Sequence, residues 1–274
     1  MIDSPRPGGA APLSGVCIDF YGLGELGMAL ATRLVSAGAT VRGIDIDPHR
    51  QARWTDTHPG LPGGDAQVVI LCVTDDAASQ ALIRRTIDRW QPGTLLIEHG
   101  TGSPASARAT AARCAEAGVR YADAPLSGGA AGARLGTMVA MLGVREPDQA
   151  DVANILSAYC ARVVWLGEPG TGQTCKLANQ LAIAGIAAGL TAAQRFSAAS
   201  GLDLGQVFTA LSLGTAGSVQ LDRLQSVLSA PDTNAADVFA WLRKDLDLCT
   251  EVSDQSAPLA SLWRALWDTE PLSS

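Results

Sequence analysis

One long apolar segment constrains the fold of this chain more than any other feature. It runs from Gly167 to Gly201, opens with three glycines, and then continues for about thirty residues without proline. A single helix of that length reaches about 40 Å, the width of a small domain. Its middle, Leu181 to Leu190, is apolar on every side, which predicts burial all round. That middle is shorter than the roughly 20 apolar residues that a bilayer span needs.

Polar side chains gather near the start of this segment. Lys176, Asn179 and Gln180 are three and four residues apart, so a helix places them on one face. A lysine at the root of a buried helix is costly unless it has a partner or a function, and we interpret Lys176 as functional. Lys176 and Lys244 are the only lysines among 20 basic residues. If codon bias turned surface lysines into arginine, these two mark sites that require an ammonium able to lose its proton.

Strand and helix patterns alternate from Gly15 to about residue 166. Short apolar runs such as VCIDFYG, AQVVILCV and GTLLIEHG are typical of strands, and each is followed by a helical or turn-forming segment. This alternation predicts an α/β fold with a doubly wound parallel sheet. After Gly167 the remaining chain has helical patterns only. We therefore expect an all-helical C-terminal domain carried by the long helix.

A glycine-rich sequence follows the first strand and precedes a helix. Spacing of this kind presents bare backbone and a helix N-terminus to a pyrophosphate, although a tight turn without ligand is the alternative. Asp45, at the end of the second strand, is placed to hold the adenosine ribose, which favours NAD over NADP. Arg50 and Arg53 lie close to Asp45 in the sequence, so NADP stays an alternative cofactor. The predicted cofactor-binding residues of the loop are Gly22, Leu23, Gly24, Glu25, Leu26 and Gly27.

A second glycine-containing segment, DAPLSGG, ends in Ser127, Gly128 and Gly129. A hydroxyl beside exposed backbone N–H groups can hold a carboxylate. A plain turn is the competing interpretation, with equal weight.

The overall composition excludes several classes of protein. A net charge of −7 argues against nucleic acid and anionic membrane surfaces as partners. The six cysteines are scattered without a CxxC pair, and the three histidines form no pattern of metal ligands. Together with the lack of a signal peptide, this predicts a reduced, cytoplasmic protein without a metal.

Five motifs occur in an order and spacing that resemble the β-hydroxyacid dehydrogenase family. They are GLGELG, the T-x-x-P of Thr101–Pro104, DAPLSGG, GTGQTCKLANQ and RKDLDL at residues 243–248. The family includes 3-hydroxyisobutyrate dehydrogenases, tartronate semialdehyde reductases and 6-phosphogluconate dehydrogenases, and the resemblance covers roughly residues 15–267. It implies an NAD(P)-dependent dehydrogenase or reductase with a Rossmann-type domain, a helical C-terminal domain, and assembly into homodimers or homotetramers.

The resemblance also implies roles for individual residues. Hydride would pass between the nicotinamide and a small, carboxylate-bearing 3-hydroxy acid or its semialdehyde, with Lys176 as the general acid/base. Asn179 is the second implied catalytic residue and would orient the substrate. The other implied assignments are Ser127, Gly128, Gly129 and Gln180 for substrate binding, Thr101 for cofactor binding near the nicotinamide, and Lys244 for cofactor binding, with Lys244 and Asp245 closing over the site.

These expectations define three segments. Residues 1–14 form a disordered tail, residues 15–168 the dinucleotide-binding domain, and residues 169–274 the helical substrate and dimerisation domain.

The chain departs from the family pattern at three places. Gln180 stands where the family has a second asparagine, which changes the depth of the pocket. Gly100 replaces a serine, and beside it we expect His99 to be a solvated strand-end histidine rather than a catalytic one. The sequence stops soon after Trp267, without the glycine- and aspartate-containing tail of the family, so we expect one wall of the pocket to be either missing or supplied by a partner subunit. Two other functions stay open, an imine reductase of the same fold and a catalytically silent scaffold, and retention of Lys176 disfavours both.

Overall fold

The structure is a computed structural model that describes residues 11–58, 65–229, 238–252, 258, 261 and 262. The chain divides into two compact units, residues 1–176 and 177–274. The first unit contains a sheet flanked by helices. The described part of the second unit is helical, which agrees with the prediction for this half of the chain.

The first unit has eight strands and six complete helices among its described residues. The strands are β1 (Cys17–Tyr21), β2 (Thr40–Ile44), β3 (Val68–Leu71), β4 (Leu95–Glu98), β5 (Arg120–Asp123), β6 (Leu126–Ser127), β7 (Met138–Val144) and β8 (Cys160–Gly167). The helices are α1 (Glu25–Ser36), α2 (Pro48–Thr57), α3 (Asp76–Thr86), α4 (Pro104–Glu116), α5 (Gly129–Leu135) and α6 (Gln149–Leu156).

The long helix α7 (Thr171–Ala199) begins in the first unit and continues into the second, as the uninterrupted segment predicts. The second unit also contains α8 (Leu204–Leu213), α9 (Val219–Leu228) and α10 (Arg243–Val252). Short 3₁₀ turns occupy Ile87–Arg89, Glu146–Asp148 and Ala240–Leu242.

The sheet has the strand order β2-β1-β3-β4-β5-β7-β6, with β8 paired to β7. The first five strands are parallel, which confirms the predicted doubly wound arrangement for this part. Beyond β5 the sheet is mixed, since β7 runs antiparallel to β5 and β6 while β8 runs parallel to β7. The carboxyl ends of the parallel strands lie at one edge, where the loops of such folds bind ligands.

Both faces of the parallel sheet are covered. In β3, Val68 and Ile70 join a core cluster that includes side chains of α1 and α6. Val69 and Leu71 point the other way, into a cluster with α3 and α4. Burial on both faces explains why the strand sequence is continuously apolar rather than alternating.

The structure corrects two local expectations. The sequence from His49 to Gly64 holds turn formers and no strong pattern, so it predicts no helix, but residues 49–57 belong to α2. Asp47 caps this helix through the N–H of His49 at 2.9 Å, and Pro48 fits its first turn. The predicted disordered tail, residues 1–14, extends too far along the chain. Leu13 is fully buried, and its N–H donates to the Ala37 carbonyl at 3.0 Å. Residues 1–10 and 59–64 lie outside the described residues.

The prediction that the middle of α7 is buried all round is wrong for the single chain. Ala184, Ala187 and Leu190 are buried, but Ile186 is 38% exposed, and a Cβ added at Gly185 would meet no atom within 4 Å. Beyond this middle, Phe196 is 74% exposed. The sequence is apolar on all sides, while the fold of the second unit covers one side only. By length and composition alone this helix also passes as a membrane span, a test that core helices of soluble proteins pass too.

Candidate active site

The three glycines of the loop between β1 and α1 differ in the space available for a side chain. Gly22 has φ +96°, and a Cβ there would overlap the backbone oxygen of Cys72. A Cβ at Gly27 would overlap the carbonyl oxygen of Gly22. At Gly24 the nearest atom to an added Cβ is Nη1 of Arg50 at 3.9 Å, so packing does not explain this glycine. The open backbone at Gly24 is what the approach of a pyrophosphate requires.

No side chain caps the N-terminus of α1, which starts at Glu25 directly after Gly24. The backbone N–H groups of such a turn and the helix dipole favour an anion. A cavity of about 490 Å³ borders this turn and is lined by Leu23, Gly24, Glu25, Met28, Ala29, Thr32, Arg33, Arg50, Arg53 and Arg134. The residues present therefore fit a dinucleotide cofactor.

Asp45 lies where the sequence places it, at the end of β2, but its carboxylate holds the glycine loop together. One oxygen accepts the N–H of Leu23 at 2.6 Å, and the other accepts the N–H of Asp47 at 2.8 Å. The side chain is only 5% exposed, and Nη1 of Arg50 lies 3.9 Å from its Oδ2. A ribose contact by Asp45 therefore has to share oxygens that already accept backbone hydrogen bonds.

An interrupted strand carries the second glycine segment. β5 and β6 both pair with β7 in one register, with Asp123 opposite Gly143 and Leu126 opposite Ala140. Ala124 and Pro125 lie between them, and Pro125 has no N–H to donate to the ladder. This register places Ser127 at the end of β6, directly before Gly128 with φ +132° and Gly129 at the start of α5.

Asp123 fixes the start of the long helix on the end of β5. Its carboxylate accepts the N–H of Gly170 at 2.7 Å and the N–H of Gln173 at 2.8 Å, the arrangement that a helix N-terminus favours. Burial raises the pKa of Asp123 to about 6, although these N–H groups act to lower it. Added Cβ atoms on Gly143 or Gly172 would crowd this carboxylate, which explains both glycines.

Gln173 joins the same turn of α7 to the loop after β4. Its Oε1 accepts the N–H of Gly102 at 3.0 Å, and its Nε2 donates to the carbonyl of Gly100 at 2.8 Å. Thr101, the residue predicted to lie near the nicotinamide, is therefore held between two anchored neighbours.

Lys176 lies one turn further along α7 and is half-buried. Its Nζ donates to the carbonyl oxygen of Leu126 at 2.9 Å. Leu126 precedes Ser127, so the structure brings the predicted acid/base group beside the predicted carboxylate cradle of Ser127 to Gly129. Residues fifty positions apart in the sequence meet here because Asp123 and Gln173 dock the first turn of α7.

His99 is not the solvated strand-end histidine that we expected. It is 6% exposed, its Nδ1 lies 2.7 Å from the carbonyl oxygen of Ala124, and its Nε2 lies 2.8 Å from the hydroxyl of Tyr159. Burial lowers the pKa of His99 to about 4, against the opposing effect of the Ala124 hydrogen bond. The expectation failed because the side chain that covers His99 comes from residue 159.

In the second unit, Gln180 connects two helices. It is 2% exposed, its Oε1 accepts from Nδ2 of Asn179 at 2.9 Å, and its Nε2 donates to Oδ2 of Asp245 at 2.6 Å. Both ends of the Gln180 amide therefore already have a protein partner, and its assignment as a substrate contact stays a prediction. Lys244 is half-exposed, with Nζ 3.8 Å from Oδ1 of Asp245.

Two site residues had no role assigned from the sequence, Asp123 and Gln173. A signal for both was present, since an aspartate ends a buried strand and a glutamine lies in the first turn of a buried helix. The residues after Trp267 and the question of a missing pocket wall lie outside the described residues.

Comparisons with known proteins find NAD-binding domains over most of this chain. The family model of the NAD binding domain of 6-phosphogluconate dehydrogenase matches residues 17–167. The model described as the NAD-binding domain of NADP-dependent 3-hydroxyisobutyrate dehydrogenase matches residues 170–270. An uncharacterized oxidoreductase of Shewanella frigidimarina is 30% identical over 258 residues, which are 89% of each chain.

Solved structures share the architecture. The 3-hydroxyisobutyrate dehydrogenase of Mycobacterium tuberculosis with L-serine has a TM-score of 0.75 and 26% identity over 90% of both chains. An imine reductase of Streptomyces aurantiacus has a TM-score of 0.64 and 20% identity, over 91% of this chain and 93% of that one. The second likeness shows the fold alone.

Proposed function

Because the chain belongs to the β-hydroxyacid dehydrogenase family, we propose that it oxidises a small 3-hydroxy acid, or reduces the semialdehyde, with Lys176 as general acid/base. The chain is a hydroxyacid dehydrogenase-type oxidoreductase with NAD(P)-binding domains.

One observation supports the proposal above all others, the position of the Lys176 ammonium. It lies 2.9 Å from the Leu126 carbonyl, at the entrance to the Ser127–Gly129 segment. A substrate whose carboxylate is bound by Ser127 and the following backbone would present its hydroxyl close to the lysine.

In the proposed chemistry, hydride transfer, proton transfer and substrate binding are carried out by different groups. When bound, the nicotinamide accepts or supplies the hydride. Lys176 takes the hydroxyl proton during oxidation and returns it during reduction, a contribution that is typically worth about 10²–10⁴-fold in rate. Ser127, Gly128 and Gly129 hold the carboxylate, so they act on binding more than on proton transfer. Asn179, which follows Lys176 by three residues on the same helix, orients the substrate.

For the cofactor we propose NAD in preference to NADP. The Asp45 carboxylate at the end of β2 disfavours a 2′-phosphate, and a ribose diol can still hydrogen-bond to it. Arg50 lies between Asp45 and Gly24, so its charge offsets part of this repulsion. NADP should therefore bind, but less tightly. Thr101 and Lys244 keep their proposed contacts with the cofactor.

For the assembly we propose a homodimer or homotetramer in the cytoplasm, formed through the exposed face of α7. This face, defined here by Gly185, Ile186, Gly189 and Phe196, is apolar and contains two glycines that permit close approach of another helix. A second copy would complete the burial that one chain leaves unfinished.

The other candidate functions are weaker. An imine reductase does not need an amine beside a carboxylate cradle, and a silent scaffold does not need Gly24 to be open. The presence of both features favours the dehydrogenase.

A turnover screen tests the proposal. Purified protein is assayed with small 3-hydroxy acids and with the corresponding semialdehydes, each with NAD(H) and NADP(H), while cyclic imines with NADPH serve as the competing substrates. We expect turnover of at least one 3-hydroxy acid or semialdehyde. Turnover of imines alone would contradict the proposal.

A further inference from the structure

A buried polar pair, His99 and Tyr159, has no part in the proposed chemistry. Tyr159 is fully buried before β8, and His99 follows β4 directly. Their rings meet edge to face, with centroids 5.7 Å apart and planes at 85°. A carbonyl oxygen can only accept a hydrogen bond, so the proton of the neutral imidazole lies on Nδ1, toward Ala124, and Nε2 accepts from the Tyr159 hydroxyl.

The acceptor of that hydrogen bond, Ala124, lies in the interruption between β5 and β6. Its N–H donates to the carbonyl of Glu98 at 2.8 Å, and its own carbonyl accepts from His99 at 2.7 Å. Both backbone polar groups of Ala124 are thus held by the end of β4. Without these two bonds the chain between Asp123 and Leu126 would lose its connection to the β4 side, and it would keep the bond to β7 in which the N–H of Met141 donates to the Pro125 carbonyl at 3.0 Å.

The residues on either side of this interruption carry the contacts of the candidate active site. Asp123 binds the first turn of α7, and the Leu126 carbonyl accepts from Lys176. A displacement of Ala124 therefore moves the oxygen that receives the lysine and the Ser127 segment that follows it. In an active site a misplacement of about 1 Å can cost about 100-fold in rate.

We propose that His99 is a positioning residue, whose Nδ1–H holds the Ala124 carbonyl and thereby places the Leu126–Gly129 segment against Lys176. Tyr159 donates to Nε2, which keeps the proton of His99 on Nδ1. The inference rests on the proposed function, since it assigns His99 to the same substrate cradle. Burial, which keeps the imidazole neutral at ordinary pH, agrees with this role.

Two amide variants separate the two hydrogen bonds of His99. Asparagine carries its amide near the position of Nδ1, so His99→Asn can still donate to Ala124 but not reach Tyr159. Glutamine carries its amide near Nε2, so His99→Gln can still bind Tyr159 but not Ala124. Both variants are polar and uncharged, and each loses one bond of the pair.

The measurement is kcat and KM for the hydroxy acid that the wild type turns over, well below the melting temperature of each variant. We expect His99→Gln to lose about tenfold or more in kcat/KM, because the cradle shifts, and His99→Asn to stay within about threefold of the wild type. The NAD(H) dissociation constant should stay within about twofold for both. Equal kcat/KM values for the two variants, or losses that follow melting temperature alone, would overturn the inference.

Amide hydrogen exchange over residues 126–129 provides a readout that does not depend on activity. Exchange should be faster in His99→Gln than in His99→Asn, and equal rates would overturn the inference. If the wild type turns over no hydroxy acid, the proposed function fails, and this exchange comparison still decides whether His99 positions the segment.

Discussion

The first turn and the later turns of α7 differ in how completely the rest of the chain contacts them. In the first turn, the Asp123 carboxylate and the Gln173 side chain satisfy backbone groups, and Gly172 packs against backbone atoms. In the later turns, Gly185 has open space beside it and Phe196 is 74% exposed. The first turn is completed by its own chain, whereas the later turns present an apolar face that the chain leaves uncovered.

This difference separates a region built for positioning from a region available for association. Lys176 needs a fixed location, and the bonds of the first turn provide it. The exposed face needs an apolar partner, and its two glycines allow one to come close. The predictions below test whether the two regions differ in this way.

A methyl group added at one glycine in each region should change the free energy of unfolding in opposite directions. In Gly172→Ala the new Cβ would overlap the Met141 oxygen and lie 2.8 Å from the Asp123 carbonyl oxygen, so we expect a loss of about 3 kcal/mol in the free energy of unfolding. In Gly185→Ala no atom of the same chain lies within 4 Å of the new Cβ, so better helix propensity should add about 0.5–1 kcal/mol to the free energy of unfolding of the monomer, while the same methyl group should weaken association through this face. Denaturant unfolding at fixed protein concentration measures both. Similar losses in the two variants would refute the distinction.

A charge on the exposed face of α7 should weaken association. Burial of an aromatic anchor at an interface is typically worth about 2 kcal/mol or more, so Phe196→Asp should raise the dimer dissociation constant about 30-fold or more. Leu213→Asp, at an 86% exposed position on α8, is the matched control and should leave association unchanged. Light scattering and sedimentation over a range of concentrations measure the change. A monomeric wild type at micromolar concentration would exclude the proposed assembly.

Cofactor choice should respond in opposite directions to the two charges beside the glycine loop. Arg50→Gln removes the cation near a 2′-phosphate, so NADP affinity should fall about tenfold while NAD affinity changes little. Asp45→Asn removes the negative charge that repels a 2′-phosphate, so the dissociation constants of NAD and NADP should become more similar. Calorimetric titration of both cofactors gives the ratios. An equal effect of Arg50→Gln on the two cofactors would place this arginine at the pyrophosphate, which both share.

The pH dependence of stability should contain two opposing contributions. His99 stays neutral in the folded chain down to about pH 4, so its contribution is complete above about pH 6.5 and is lost as pH falls toward 4. Asp123 keeps its proton in the folded chain up to about pH 6, so its contribution is complete below about pH 3.8 and is lost as pH rises through 6. Each contribution changes by up to about 1.4 kcal/mol per pH unit.

Single substitutions should reveal each contribution. Relative to the wild type, the free energy of unfolding of His99→Asn should fall as pH rises from about 4.5 to 6, and that of Asp123→Asn should rise. Denaturant unfolding across this range measures both. Curves parallel to that of the wild type would show that neither group titrates as its burial implies.

The sequence was sufficient where a function depends on local spacing. The glycine loop, the strand before it and Lys176 with its helix are all local patterns, and the structure contains them. The helix α2 could also have been predicted, because Asp47 and Pro48 form a recognisable helix start.

Tertiary contacts decided what the sequence could not. The burial of His99 depends on Tyr159, sixty residues later, and the bonding of Gln180 depends on Asp245 in a different helix. An apolar helix does not reveal which of its faces the rest of the chain will cover. For the same reason the interruption at Ala124, which joins β4 to the candidate active site, has no signal in the local sequence beyond Pro125.

The most direct test of the proposed mechanism is the turnover number of Lys176→Met, measured on the same preparation as its melting temperature and cofactor affinity. Methionine keeps the apolar stem and removes the exchangeable proton, so kcat should fall by about 10²–10⁴-fold while folding and cofactor binding persist. Lys176→Arg should recover little, because a guanidinium stays protonated near neutrality, and Ser127→Ala should instead mainly raise KM. A folded, cofactor-binding Lys176→Met enzyme with a kcat close to that of the wild type would contradict the assignment of Lys176 as the general acid/base.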